Sequence, residues 1–182
     1  MRFFERSAER SHPLVEPETF SQFYENTHLN VYRYVMALCG GDERQAEDVT
    51  TDAYLRAWRN RKAYSGSAET ALGWILTIAR RSLIDEFRKK SARPFEDDLG
   101  DDMVDPTGDI ERNILSEEIT DQVIQALQQI SVNQREIIVL RYVLGWRVSE
   151  IATHLAIEEN TVSVAIHRTL KRLRDILVSQ GV

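Results

Sequence analysis

The stretch QREIIVLRYVLGWRVSEIATHLAIEENTVSVAIHRTLKRLR, Gln134 to Arg174, decides the fold. Its apolar residues recur at helical spacing, so it reads as an apolar helix ended by Gly145, then the helix VSEIATHL, then NTVSVAIHRTLKRLR, the last two joined by AIEE. Along the last helix Val162, Ile166, Thr169, Leu173 and Leu177 project to one side, where they can pack on Ile151, Ala152 and Leu155. The opposite side presents Ser163, Val164, His167, Arg168 and Lys171, with Arg174 beyond. That pairing looks like a helix-turn-helix, a motif whose second helix lays its N-terminal residues on base edges in the major groove. Ser163 suits a base edge, Val164 a thymine methyl, and His167 with Arg168 a base or phosphate, while Lys171, Arg172 and Arg174 suit phosphates. Plain helical bundles share the apolar spacing, so packing without DNA stays open. Asn160 suits a turn needing a left-handed residue, and Ala156 stands where Gly is more usual.

Upstream, Ser116 to Ile130 reads as another helix with Ile119, Val123, Ile124 and Leu127 as its stripe, completing a four-helix module. Before it lies PFEDDLGDDMVDPTGD, Pro94 to Asp109, with two Pro, two Gly and seven Asp/Glu. Too few large apolar residues stand there to offset the entropy of ordering, so it reads as a flexible acidic linker. A run of carboxylates in this position also suits a basic groove made for phosphates.

The net charge of −6 is concentrated in that joint. Residues 1–93 hold 15 Lys/Arg and 13 Asp/Glu, residues 94–121 hold 1 and 11, and residues 122–182 hold 7 and 5. Both flanking blocks are therefore slightly basic, and an acidic total does not argue against a nucleic-acid partner.

The first block has three helices. The first runs from about Thr19 to Leu38, with Phe20, Phe23, Tyr24, Thr27, Val31, Tyr34, Val35 and Leu38 near one face, and stops at Gly40-Gly41. Asp42 caps the second, about Glu43 to Arg61, which buries Ala46, Val49, Ala53 and Ala57. Its other side carries Leu55 and Trp58 beside Asp48, Thr51 and Asp52, so this helix either sits between neighbours or offers a side to a partner. The third, Ala71 to about Lys90, has Leu72, Leu76, Ala79 and Leu83 as its stripe and ends in Arg88-Lys89-Lys90. A basic end suits the helix dipole as well as it suits nucleic acid. The chain is expected to be all-α: two small helical domains joined by the acidic linker.

Cys39, the single cysteine, reads as a buried free thiol of a reducing cytoplasm. No run of about 18 apolar residues predicts membrane insertion. His12, His28, His154 and His167 lie far apart, no Gly-rich phosphate loop occurs, and no ligand spacing suggests a metal. No catalytic residue, cofactor or metal site is expected.

With both blocks in view, the chain resembles a bacterial RNA polymerase sigma factor of the extracytoplasmic-function (ECF, group 4) class. The residues that carry the resemblance are AEDVTTDAYLRAWRN, GWILTIARRSLIDEFRKK and the stretch from Gln134 to Arg174. It implies an N-terminal extension (1–18), a sigma2-like domain (19–93), the acidic linker (94–115) and a sigma4-like domain with the helix-turn-helix (116–182). It implies that Asp48, Thr51, Asp52, Leu55 and Arg56 bind core polymerase. It implies that the third helix and its preceding loop hold and melt the minus-ten element, with Tyr64, Ser65, Arg80, Arg81, Arg88, Lys89 and Lys90 as candidates. It implies that Ser163, Val164, His167, Arg168, Lys171, Arg172 and Arg174 meet the minus-thirty-five element. Partners implied are the polymerase clamp and flap, promoter DNA and an anti-sigma factor. Ser163 stands where the family usually has a basic residue, Thr77 where Arg is frequent, and Ile130-Ser131 in place of a common Leu-Pro. The competing readings are a stand-alone helix-turn-helix regulator with a helical sensing or dimerisation domain, and a helical adaptor without a DNA role.

Overall fold

The computed structural model describes residues 14–92 and 122–179, with side chains from 88 to 92 left aside. All regular structure among these residues is helical. The acidic linker and the side chains of Arg88, Lys89 and Lys90 lie outside the described residues.

Helix α1, Pro17–Leu38, starts with Pro at its first turn, where the missing amide hydrogen costs nothing. It ends because Gly40 and Gly41 take φ values of 79° and 89°, left-handed backbone that would strain a side-chain-bearing residue. Helix α2, Glu43–Asn60, is capped as its sequence predicts: the Asp42 carboxylate accepts from the Gln45 amide at 2.9 Å. A single 3-10 turn, Arg61–Ala63, leads to the loop before α3, Ala71–Ala92.

These helices close on one another through small residues. Ala46, Val49, Ala53 and Ala57 of α2 are buried, with Ala71, Ile75, Leu76, Ala79 and Leu83 of α3 and Phe20, Phe23, Val31, Tyr34, Val35 and Leu38 of α1. Leu72, expected in the α3 stripe, is only half-buried, and Tyr24 of α1 is exposed. Leu14 is buried in the same cluster, and the Val15 carbonyl accepts from Arg61 Nε at 2.9 Å. Trp58 does not face outward with Leu55. Its ring packs edge-on against Phe20 at 5.0 Å and lies under the Arg61 guanidinium at 3.5 Å.

The second module comprises α4 (122–128), α5 (Val132–Ile138), α6 (Val148–Leu155) and α7 (Glu159–Ser179). Ser131 caps α5 by a reciprocal box with Gln134. The helix widens into a π turn over Val139–Val143 and stops at Gly145, φ 73°.

Ile151 and Val162 are fully buried where α6 meets α7, each burial contributing roughly 1.5–3 kcal/mol. The tight turn is made by Ala156 at φ 54°, ψ 46°, not by Asn160, which already lies in the first turn of α7. An alanine held there costs about 1–2 kcal/mol. Cys39 is half-buried, with its thiol within reach of the Met36 and Asp42 carbonyls. Burial, and then the Asp42 carboxylate, push that thiol's pKa up. No helix among the described residues is long and apolar enough to cross a membrane, and no cluster of His, Cys, Asp and Glu there could hold a metal.

Candidate nucleic-acid interface

Helix α7 separates its two sides as the sequence pattern requires. Val162 and Thr169 are buried, and Ala165, Ile166, Leu173 and Leu177 are half-buried. Ser163, Val164, His167, Arg168, Lys171, Arg172 and Arg174 are all exposed. Arg172 is nonetheless engaged, donating to the Gln129 carbonyl at 2.9 Å and so tying α7 to the end of α4. The other six leave a free ridge with a small polar and apolar start and a cationic continuation, the order needed to meet base edges and then phosphates. His167 lies on this ridge and His154 does not: His154 is half-buried edge-on to Trp146, with ring centroids 5.1 Å apart.

A second face lies on α2. Leu55 is 50% exposed, with Asp48 and Thr51 also open to solvent. Asp52 and Arg56 are fixed rather than free. Arg56 Nε meets the Asp52 carboxylate at 2.7 Å, Ser82 donates to it at 2.8 Å, and Asp85 stands 3.8 Å from Arg56. This side presents a lone apolar side chain within a charged network, with a cavity of about 360 Å³ lined by Gln45, Asp48, Asp52, Arg56, Ser82 and Glu86.

The third group, on α3 and its loop, is not gathered into one open surface. Ser65 and Arg81 are exposed. Tyr64 is buried, with its hydroxyl 2.6 Å from both the Ser67 carbonyl, to which it donates, and Thr70 Oγ1. Its ring stacks on Trp74, with centroids 4.7 Å apart. In this position Tyr64 shapes the loop from within.

Arg80 is held by the second module. Its Nε bonds the Glu136 carboxylate at 2.9 Å, and Tyr34 of α1 donates to the other oxygen of that carboxylate at 2.6 Å. Glu136 is 1% exposed. Burial, and then the neighbouring carboxylate, hold the Tyr34 phenol protonated well above the ordinary tyrosine value.

Arg135, also buried, donates to the Leu38 carbonyl at 3.0 Å and the Ala37 carbonyl at 3.4 Å, satisfying the orphan acceptors at the end of α1. Its Nε bonds the Leu127 carbonyl at 2.7 Å within its own module. Gln128 donates to the Gly40 carbonyl. On α3, Gly73 faces His154 and Trp146, which lie 3.5 and 3.6 Å from where a Cβ would stand. Sequence reading did not single out Tyr34, Gly73, Arg135, Glu136 or Trp146 as contact residues. The one signal was two opposite charges, Arg135-Glu136, running directly into the apolar IIVL.

The sigma-70 region 2 family matches residues 23–93 and the sigma-70 region 4 family matches residues 120–173. The ECF RNA polymerase sigma factor SigL of Mycobacterium tuberculosis (strain ATCC 25618 / H37Rv) is 35% identical over 163 residues, covering 87% of this chain and 89% of that protein. SigK of Mycolicibacterium vanbaalenii, also an ECF RNA polymerase sigma factor, is 31% identical over 164 residues, covering 89% and 83%. Among solved structures, the sigma factor RpoE in complex with the anti-sigma factor NepR from Bartonella quintana superposes with a TM-score of 0.66 at 21% identity, over 88% of this chain and 97% of that one. CnrH in complex with the cytosolic domain of CnrY gives 0.66 at 19% identity over 90% of each chain. At these identities the structural likeness speaks for the fold alone.

Proposed function

Because the chain belongs to the ECF RNA polymerase sigma factors, we propose that its three faces divide the work of promoter recognition. It binds core RNA polymerase, brings it to specific promoters and helps open the minus-ten region, with the catalytic chemistry left to the polymerase. The side of α2 bearing Asp48, Thr51, Asp52, Leu55 and Arg56 docks on the polymerase clamp. A lone exposed leucine ringed by fixed charges is the composition of an interface anchor with a polar rim. The loop before α3 and α3 itself, through Ser65, Arg80, Arg81, Arg88, Lys89 and Lys90, hold the melted minus-ten strand, and Tyr64 positions that loop. Extruding a base costs a few kcal/mol, which contacts to the single strand offset. Ser163, Val164, His167, Arg168, Lys171, Arg172 and Arg174 meet the minus-thirty-five duplex.

The observation that carries this reading is the free ridge on α7 in a chain whose relatives of nearly full length are sigma factors. The neutral start of that ridge implies weaker or different minus-thirty-five contacts than an arginine there would make. The proposed domain division is 19–93 and 116–182, with 1–18 before them and the acidic 94–115 between them. The protein works in the cytoplasm with the polymerase. An anti-sigma factor is its expected regulator, since RpoE and CnrH were both solved with a partner and the former partner is an anti-sigma factor. The test is transcription of genomic DNA by the purified protein with sigma-free core polymerase, mapping RNA 5′ ends. Discrete new starts sharing upstream elements are expected. DNA binding by the protein alone with no specific starts would point instead to the stand-alone regulator.

A further inference from the structure

Beside the loop that leads into α3 lies an open cavity of about 510 Å³, within the size range of sites that bury a ligand. Leu72 and Trp74 of α3 and Trp146, just before α6, form its apolar walls, while Glu69 and Glu150 bring carboxylates to it. No lysine or arginine stands among the described residues that line it. Burial lowers the pKa of His154 on the same wall, so near neutral pH that ring adds no positive charge. The walls are held in place: Trp74 stacks on Tyr64, Trp146 meets His154 edge-on, and the Glu150 carboxylate accepts from the Arg147 amide at 2.6 Å. Two tryptophans and two carboxylates with no facing cation suit an aromatic side chain flanked by a basic one.

The chain carries that chemistry within reach. Residues 1–13, MRFFERSAERSHP, place Phe3 and Phe4 between Arg2 and Arg6. Leu14, the next residue, is buried in the first module, and the Val15 carbonyl accepts from Arg61 Nε at 2.9 Å. Arg61 comes three residues before Tyr64, whose ring rests on the cavity wall at Trp74. The chain thus joins the body near the N-terminal end of α3, the end that borders the cavity. The ten residues from Leu14 back to Phe4 span up to about 35 Å, roughly the length of the 22-residue helix α1.

We propose that this cavity is the docking site of residues 1–13, with Phe3 and Phe4 against Trp74 and Trp146, and Arg2 and Arg6 toward Glu69 and Glu150. The same chain already pairs an arginine with a tryptophan, the Arg61 guanidinium lying 3.5 Å over the Trp58 ring. Removing two adjacent phenylalanines from water drives the docking, and the opposite charges orient it. The inference goes beyond the promoter reading and holds or fails independently of it.

The full-length protein with a benzophenone analogue of phenylalanine at position 4 tests the site, with mass spectrometry locating the cross-links formed under ultraviolet light. Cross-links within one chain should fall on residues 69–77 and 146–154. Glu69→Lys changes an exposed side chain outside the core and should lower their yield about threefold, as should about 0.5 M salt. An excess of the peptide MRFFERSAERSHP should lower it as well, and a scrambled peptide of the same composition should not. Cross-links between two chains would give the segment to a second copy, and cross-links scattered over other surfaces would leave the cavity to another occupant. Either result, or a cavity yield unmoved by the substitution, the salt and the peptide alike, overturns the proposal.

Discussion

Two surfaces proposed to meet the same promoter stand in opposite states. On α7, Ser163, Val164, His167, Arg168, Lys171 and Arg174 face solvent together, while on α3 the one cation nearest the second module, Arg80, is already paired with a buried carboxylate. The difference follows from what each helix must bury. The apolar stripe of α7 is met within its own module by Ile151 and its neighbours, which leaves the other side free. Helix α3 buries Ile75, Leu76, Ala79 and Leu83 in its own domain and still carries half-buried Trp74, Thr77 and Ile78, against which a second body can rest. One chain thus carries an open face, proposed to read duplex, and a covered face, proposed to hold the melted strand.

The largest break in this contrast should come from Ile151→Ala. It removes the fully buried side chain under α7 and should cost about 2–5 kcal/mol, melting the second module in urea while the α1–α3 helices persist. Next comes the face itself, with promoter DNA on the holoenzyme as the readout. Arg168→Ala should lose about 1–3 kcal/mol at one position of the minus-thirty-five element and relax sequence choice there. Arg174→Ala should weaken all sequences alike and lower the salt slope by about 1. Equal behaviour of the two would erase the division between base-reading and phosphate-holding residues.

Smaller still is Ala156→Gly, which relieves left-handed strain at the turn and should raise the stability of the second module by up to about 1 kcal/mol in urea melts. The weakest effect concerns His154 beside the covered face. Burial lowers its pKa below the ordinary value of about 6.5, Glu136 opposes the shift and Arg80 adds to it. The unfolded chain takes up that proton first, so this share of stability is present above about pH 6.5 and is lost as pH falls through the folded value. His154→Gln should flatten the difference between urea midpoints at pH 7.5 and 5.5, and an unchanged difference would place the titration elsewhere.

Much of this was legible before any coordinates. Gly40, Gly41 and Gly145 mark helix ends because their backbone turns left-handed there, and the small-residue face of α2 follows directly from Ala46, Val49, Ala53 and Ala57. The exposed half of α7 was readable because helical spacing sorts buried from free side chains within one element. The covered face was not readable. Glu136 and Tyr34 lie 102 residues apart, and periodicity carries no information about which helices of one module meet those of another. Tyr34 fits an ordinary core stripe, and a Gln-Arg-Glu run resembles a solvated helix start. The burial of Tyr64 was not readable for a related reason: a tyrosine in a polar loop looks available, yet Trp74 and Thr70 draw it inward.

The contrast between the two faces is tested most directly by arginine-selective dicarbonyl labelling followed by mass spectrometry, on the free protein and on its Glu136→Gln variant. The account predicts that Arg168 reacts quickly in both, whereas Arg80, paired with Glu136, reacts slowly in the wild type and faster in the variant. Arg80 labelling as fast as Arg168 in the wild type, or no faster in the variant, would contradict it.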